Sequence, residues 1–174
     1  KVKITDDTVD AVLSIRDACR AEGIIAGDRR WKKSLQVVKA SAWMAGERQT
    51  TPEDLAILVD SLWREPKERA KVARIVGKLA DPVGTQATEI LDAARETSQK
   101  VVSMASGGDR KAYIGQAATT LEQFEAQQKK LTELARSGGR RAKAVIADAQ
   151  AEVQAMHAEM ARTVSAGLGL RALR

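Results

Sequence analysis

The run Gly27-Asp28-Arg29-Arg30-Trp31-Lys32-Lys33-Ser34-Leu35 carries a loop into a helix, and apolar residues then recur at Trp31, Leu35, Val38 and Ala42 before Gly46. That spacing is one stripe of a 3.6-residue helix, so the stretch from Arg29 to about Ala45 reads as an amphipathic helix stopped by glycine. Asp28 suits its N-cap, but Arg29 and Arg30 place cations at the positive end of the helix dipole. Two readings follow from the residues alone. The arginines are solvated and reach back to Asp28 or Glu22, or they stand beside free backbone donors as a site for phosphate oxygens.

Working outward, the preceding helix opens at Thr5 with Asp6 and Asp7 in its first turn and runs to about Glu22, where Gly23 ends it. Val9, Val12, Leu13, Ile15 and Cys19 form its apolar side. On the other flank, Thr51-Pro52-Glu53-Asp54 writes a helix start in full: a capping threonine, proline in the first helical position, and an acid that can reach back as in a capping box. Leu55, Leu58, Val59 and Leu62 face inward, and the helix is expected to reach Trp63-Arg64-Glu65. A fourth helix, from about Pro66 to Leu79, buries Val72, Ile75, Val76 and Leu79 before Asp81-Pro82. Trp31, Trp43 and Trp63 are all expected in the core or in subdomain contacts.

After Pro82 the pattern becomes heptads. Val83, Ala87, Ile90, Ala94, Thr97, Val101 and Met104 define one seam; Ile114, Ala117, Leu121, Phe124, Gln128, Leu131 and Ala135 a second; Ile146, Ala149, Val153, Met156, Met160 and Val164 a third. Breaks at Ser106-Gly107-Gly108-Asp109 and Ser137-Gly138-Gly139 fold the chain back twice, giving an elongated antiparallel three-helix bundle. Gln128 is a polar seam residue suited to fixing register, and Ala166–Arg174 reads as a frayed end or docking tail. The expected organisation is all-α: a four-helix bundle over 1–80 and a coiled-coil-like domain over 81–174.

Composition agrees. With 174 residues, 44% hydrophobic and only three prolines, the chain can bury a core, and no strand pattern is present. The net charge of +6 is spread through helices of mixed sign, which argues against a nucleic-acid binder. One cysteine, Cys19, rules out an internal disulfide and fits a reducing, cytoplasmic setting. His157 has only Glu152 and Glu159 nearby, too few groups for a metal site, and the Arg140-Arg141-Lys143 patch reads as solvated or as a subunit contact. No apolar run is long enough for a membrane span. The chain starts at Lys1 directly before a helix signal, and is expected to be a piece of a longer protein.

The strings Asp28-Arg29-Arg30-Trp31-Lys32-Lys33, Lys39-Ala40-Ser41-Ala42, Gly46-Glu47-Arg48, Pro52-Glu53-Asp54-Leu55 and Leu62-Trp63 resemble the helical lid of MoxR-type AAA+ ATPases, in particular the regulatory ATPase variant A branch, over about residues 4–78. That resemblance implies a lid over an ATP site, with ATP and Mg2+ bound in the intact parent and neither expected on this fragment alone. It matches Arg30, with Arg29 as the alternative, to the sensor-2 arginine that faces the terminal phosphates. It further implies a hexameric ring with chaperone-like remodelling activity, contacts with the parent's own AAA+ core and neighbouring subunits, and a von Willebrand factor A-domain protein partner. The branch also carries a triple-helical region, but with a β-rich insertion that the short turns here do not accommodate. No Gly-rich phosphate loop or magnesium-holding strand occurs, so this chain is not expected to hydrolyse ATP by itself. A stand-alone helical adaptor without a nucleotide role is the alternative reading.

Overall fold

The computed structural model describes residues 1–104 and 110–167; the expected turn at 106–109 and the tail from 168 onward lie outside them. The described residues are all-α. They form α1 (Asp6–Ala21), α2 (Asp28–Met44), a 3-10 helix η1 (Pro52–Asp60), α3 (Pro66–Ala80), α4 (Pro82–Met104), α5 (Arg110–Ser137) and α6 (Arg140–Gly167). The one β feature among them is a parallel bridge between Lys3 and Gln49. The chain divides into two compact units, Lys1–Thr85 and Gln86–Arg174.

In the first unit, Val12, Ile15, Cys19, Trp31, Val38, Leu55, Leu58, Leu62, Val72, Ile75 and Val76 pack into one core. Burial of side chains of this size contributes about 1.5–3 kcal/mol each, which is what holds four short helices together. Both glycine stops work as expected. Gly23 and Gly46 adopt φ of +78° and +79°, and each ends its helix with a paired backbone closure. Ile24 N donates to Cys19 O at 2.8 Å, and Glu47 N to Ala42 O at 2.9 Å, the long bonds of Schellman turns.

The start of α1 is tied to the segment before η1. Thr8 N donates to the Thr5 hydroxyl at 3.3 Å, as a capping threonine should, and the Thr5 hydroxyl donates to Thr50 O at 3.0 Å. Thr50 Oγ1 in turn donates to Thr8 Oγ1 at 2.9 Å, so three hydroxyls satisfy one another inside the unit. At η1 the capping acid also behaves as its position dictates: Thr51 N donates to Asp54 Oδ2 at 2.8 Å.

Several sequence expectations are corrected. The segment after Thr51 is a 3-10 helix, not an α-helix. Thr50 is buried before it and Leu62 after it, and nine residues at a 3-10 rise would span about 18 Å against about 13.5 Å for an α-helix. Trp43 is 70% exposed, because it lies about 100° around α2 from the buried Ala42. Val9 and Leu13 flank the α1 core stripe and are also exposed, and Leu79 sits at the rim while Ala80 is buried. The N-cap of α2 is Gly27, in an extended conformation, so Asp28 is the first helical residue.

In the second unit, α5 and α6 pack closely through Ala117, Phe124, Leu131, Ala142, Ile146, Ala149, Val153 and Met160, all buried. The α4 seam runs through Ala87, Leu91, Ala94 and Val101, with Leu91 replacing the expected Ile90 and Met104 left 39% exposed. Positions 90 and 91 each lie three or four residues from 87 and 94, so both registers were readable, and Leu91 is the one buried. Gln128 donates to Gln150 O across to α6 at 2.7 Å. Arg95 joins α4 to α6 by a two-pronged pair with Glu152, both bonds at 2.7 Å, and this holds the Glu152 carboxyl below its ordinary range.

Candidate functional site: a basic cleft at the start of α2

The N-terminus of α2 is positioned by partners on three sides. Arg30 N and Trp31 N close the first turn on Gly27 O at 2.8 and 3.2 Å, and the Trp31 ring is buried in the core. Asp28 accepts a bond from Arg16 Nη2 at 3.1 Å, tying α2 to α1. Glu22 is not available to either arginine of the pair, because it binds Lys71 Nζ at 3.0 Å and Arg74 Nη2 at 3.3 Å on α3. Neither Arg29 nor Arg30 is paired with Asp28 or Glu22.

The two arginines separate. Arg30 is half-buried and its Nη1 donates to Trp63 O at 3.0 Å and Leu62 O at 3.4 Å, the chain just beyond η1. Beside it the buried Ser34 and the half-buried Ser61 share a hydroxyl contact of 3.2 Å. Arg29 is exposed. Neither it nor Lys33, one turn on, makes a hydrogen bond or ion pair among the described residues.

Opposite α2, the loop into α3 is held from its other side. Glu68 Oε2 accepts from Arg64 N at 2.8 Å and Glu65 N at 3.3 Å, and these two amides lower the Glu68 carboxyl below its usual range. Between loop and helix lies a shallow cleft of about 430 Å³ lined by Gly27, Arg29, Arg30, Lys33, Ser34, Val37, Ser61 and Arg64. Four of these are cations and none is an acid. The unpaired N–H groups of the α2 first turn add to the same positive field.

Residues of this kind fit the phosphates of a nucleotide: guanidinium forks and backbone amides hold oxyanions, and Ser34 and Ser61 are neutral. They do not fit a metal ion, since no group of three or more His, Cys, Asp or Glu that could hold one occurs among the described residues. His157 lies 3.6 Å from Glu125 and is a third exposed. Burial pushes the Cys19 thiol up, away from nucleophilic use. A second groove of about 370 Å³, on the α1 side of α2, is lined mainly by Val9, Val12, Leu13, Trp31 and Leu35, with Arg16, Asp28 and Lys32 also on it.

Of the cleft residues, Arg29 and Arg30 were legible as an anomaly in the sequence. Lys33 could have been found from its position four residues after Arg29, on the same helical face. Arg64 carried no local signal, because only the fold brings it opposite α2.

Residues 7–76 match the family model described as the AAA lid domain, which supports an AAA+ ATPase lid in the first unit. Among curated proteins, the uncharacterized protein MJ0812 of Methanocaldococcus jannaschii is 33% identical over 95 residues, 53% of this chain and 26% of that protein. The chain thus spans about a quarter of the length of this relative. No solved structure matches. No helix among the described residues is long and apolar enough to cross a membrane.

Proposed function

We propose that the chain is the lid and C-terminal helical part of a MoxR-type AAA+ ATPase, close to the regulatory ATPase variant A branch, and that the α2 cleft faces the terminal phosphates of ATP. The observation that carries this is the cleft itself: four cations at a helix N-terminus with no acid among them, inside the segment matched to AAA lids. The Asp28-Arg29-Arg30-Trp31-Lys32-Lys33 string, followed by Gly46-Glu47-Arg48 and Pro52-Glu53-Asp54-Leu55, supports the finer family.

In this reading ATP brings a polyanion whose charge falls by hydrolysis. Arg29 and Lys33 hold the phosphate oxygens, and Arg30 orients α2 through the Leu62 and Trp63 carbonyls. A change of charge at the cleft is thereby linked to the η1 end of the lid. Magnesium is held by the ATPase core of the parent, since the lid offers it no cluster of acids. The parent works in the cytoplasm as a hexameric remodeller with chaperone-like action, pairs with a von Willebrand factor A-domain protein, and uses the helical unit for protein contacts.

The test is ATP turnover by the intact parent. At saturating ATP, Arg29→Ala and Arg30→Ala should each lower the rate by at least about tenfold, the range of lost charge stabilisation at a phosphate. Unchanged turnover in both would remove the nucleotide role.

A further inference from the structure

Arg64 stands across the cleft from Arg29 and Lys33, in a loop fixed from both sides. The carbonyls of Leu62 and Trp63 are held by Arg30, and the amides of Arg64 and Glu65 by Glu68. The backbone around Arg64 is therefore pinned while its side chain is exposed and makes no hydrogen bond or ion pair among the described residues. Glu68 accepts the backbone amides of Arg64 and Glu65 on Oε2, and the Arg64 charge adds a smaller contribution to lowering its pKa.

The cleft lining itself contains no acid, and like charges held along it repel unless an anion enters between them. One arginine on a helix start is enough for a single phosphate oxygen. Cations on both walls suit an anion wide enough to touch both, which is a chain of two or three phosphates.

We propose that Arg64 is a phosphate-binding residue of the α2 cleft, gripping a polyphosphate from the wall opposite Arg29 and Lys33. This rests on the nucleotide-facing reading of the cleft but assigns it a residue on a second element. The pinning by Arg30 and Glu68 is what presets the distance between the walls.

Calorimetric titration of the 174-residue chain with inorganic tripolyphosphate and with orthophosphate, at low ionic strength, tests it. Tripolyphosphate should bind more tightly than orthophosphate, and Arg64→Ala should weaken it about fivefold or more, as expected for a charge-assisted contact. Lys78→Ala, an equal charge change on α3, should leave the affinity within about twofold. If Arg29→Ala weakens binding while Arg64→Ala does not, the Arg64 assignment is overturned and the cleft reading stands. Equal losses in Arg64→Ala and Lys78→Ala would also overturn it, by showing diffuse attraction only. No binding of tripolyphosphate by the unaltered chain overturns the assignment and the cleft reading together.

Discussion

Arg30 Nη1 lies 3.0 Å from the carbonyl oxygen of Trp63, thirty-three residues further along the chain, and this contact joins the start of α2 to the end of η1. Its neighbour Arg29 has no such partner. Removing the first guanidinium costs stability, whereas removing the second does not. Arg30→Ala is expected to lower unfolding free energy by about 1–2 kcal/mol, the worth of a charged donor to backbone carbonyls. Arg29→Ala should stay within about 0.5 kcal/mol, as surface substitutions do. Urea unfolding followed by circular dichroism distinguishes them, and the reverse order would contradict the geometry.

The glycine stops make a second test. At φ of +78° and +79°, a side chain at position 23 or 46 meets no neighbouring atom, so any cost comes from the backbone alone. Gly23→Ala and Gly46→Ala should each destabilise by about 1–2 kcal/mol, the penalty for an L-residue in the left-handed region. Asn at either site should recover part of that loss. Thermal midpoints of the two pairs of variants measure it.

The tryptophans should differ sharply. Trp31 is 8% exposed within the first-unit core, and Trp31→Ala is expected to cost about 3–5 kcal/mol. Trp43 is 70% exposed, and Trp43→Ala should leave the unfolding midpoint nearly unchanged while removing the indole most accessible to iodide quenching. Equal stability losses would mean that Trp43 is covered in solution.

Acid should loosen the first unit through Glu22. Lys71, then Arg74, hold its folded carboxyl below the ordinary value of 4.5. A lowered folded pKa means the unfolded chain binds more protons, so this contribution is present above the unfolded value and is lost as pH falls through the folded one. Glu22→Gln should therefore flatten the decline in stability as pH falls below the ordinary value of 4.5, and added salt should reduce the difference. Denaturant midpoints measured across that range, with and without salt, provide the readout; an unchanged acid limb would show that the Glu22 bridges to α3 do not form.

Much of this was readable before any coordinates. The all-α class, the Thr5 and Thr51-Asp54 helix starts, the Gly23 and Gly46 stops and the Trp31, Val38, Ala42 stripe are local signals, and local signals survive folding. The errors fall where a neighbour decides. The 3-10 form of η1 and the burial of Leu91 rather than Ile90 are not written in residue spacing. Arg30 stood out in the sequence as an anomaly, yet its bond to Trp63 and the presence of Arg64 on the same cleft are tertiary facts with no trace in residue spacing.

η1 also separates two properties that usually travel together. Its side chains Leu55 and Leu58 are among the most buried in the molecule, at 0% and 1% exposure. Its main chain, however, rests on 3-10 hydrogen bonds, whose geometry is poorer than that of α-helical ones. Amide protons along η1 should thus exchange with solvent deuterium ahead of those in α2 and α3, through openings that leave the leucines seated. In this lid a segment whose leucines are fully buried is thus expected to open its backbone ahead of α2 and α3.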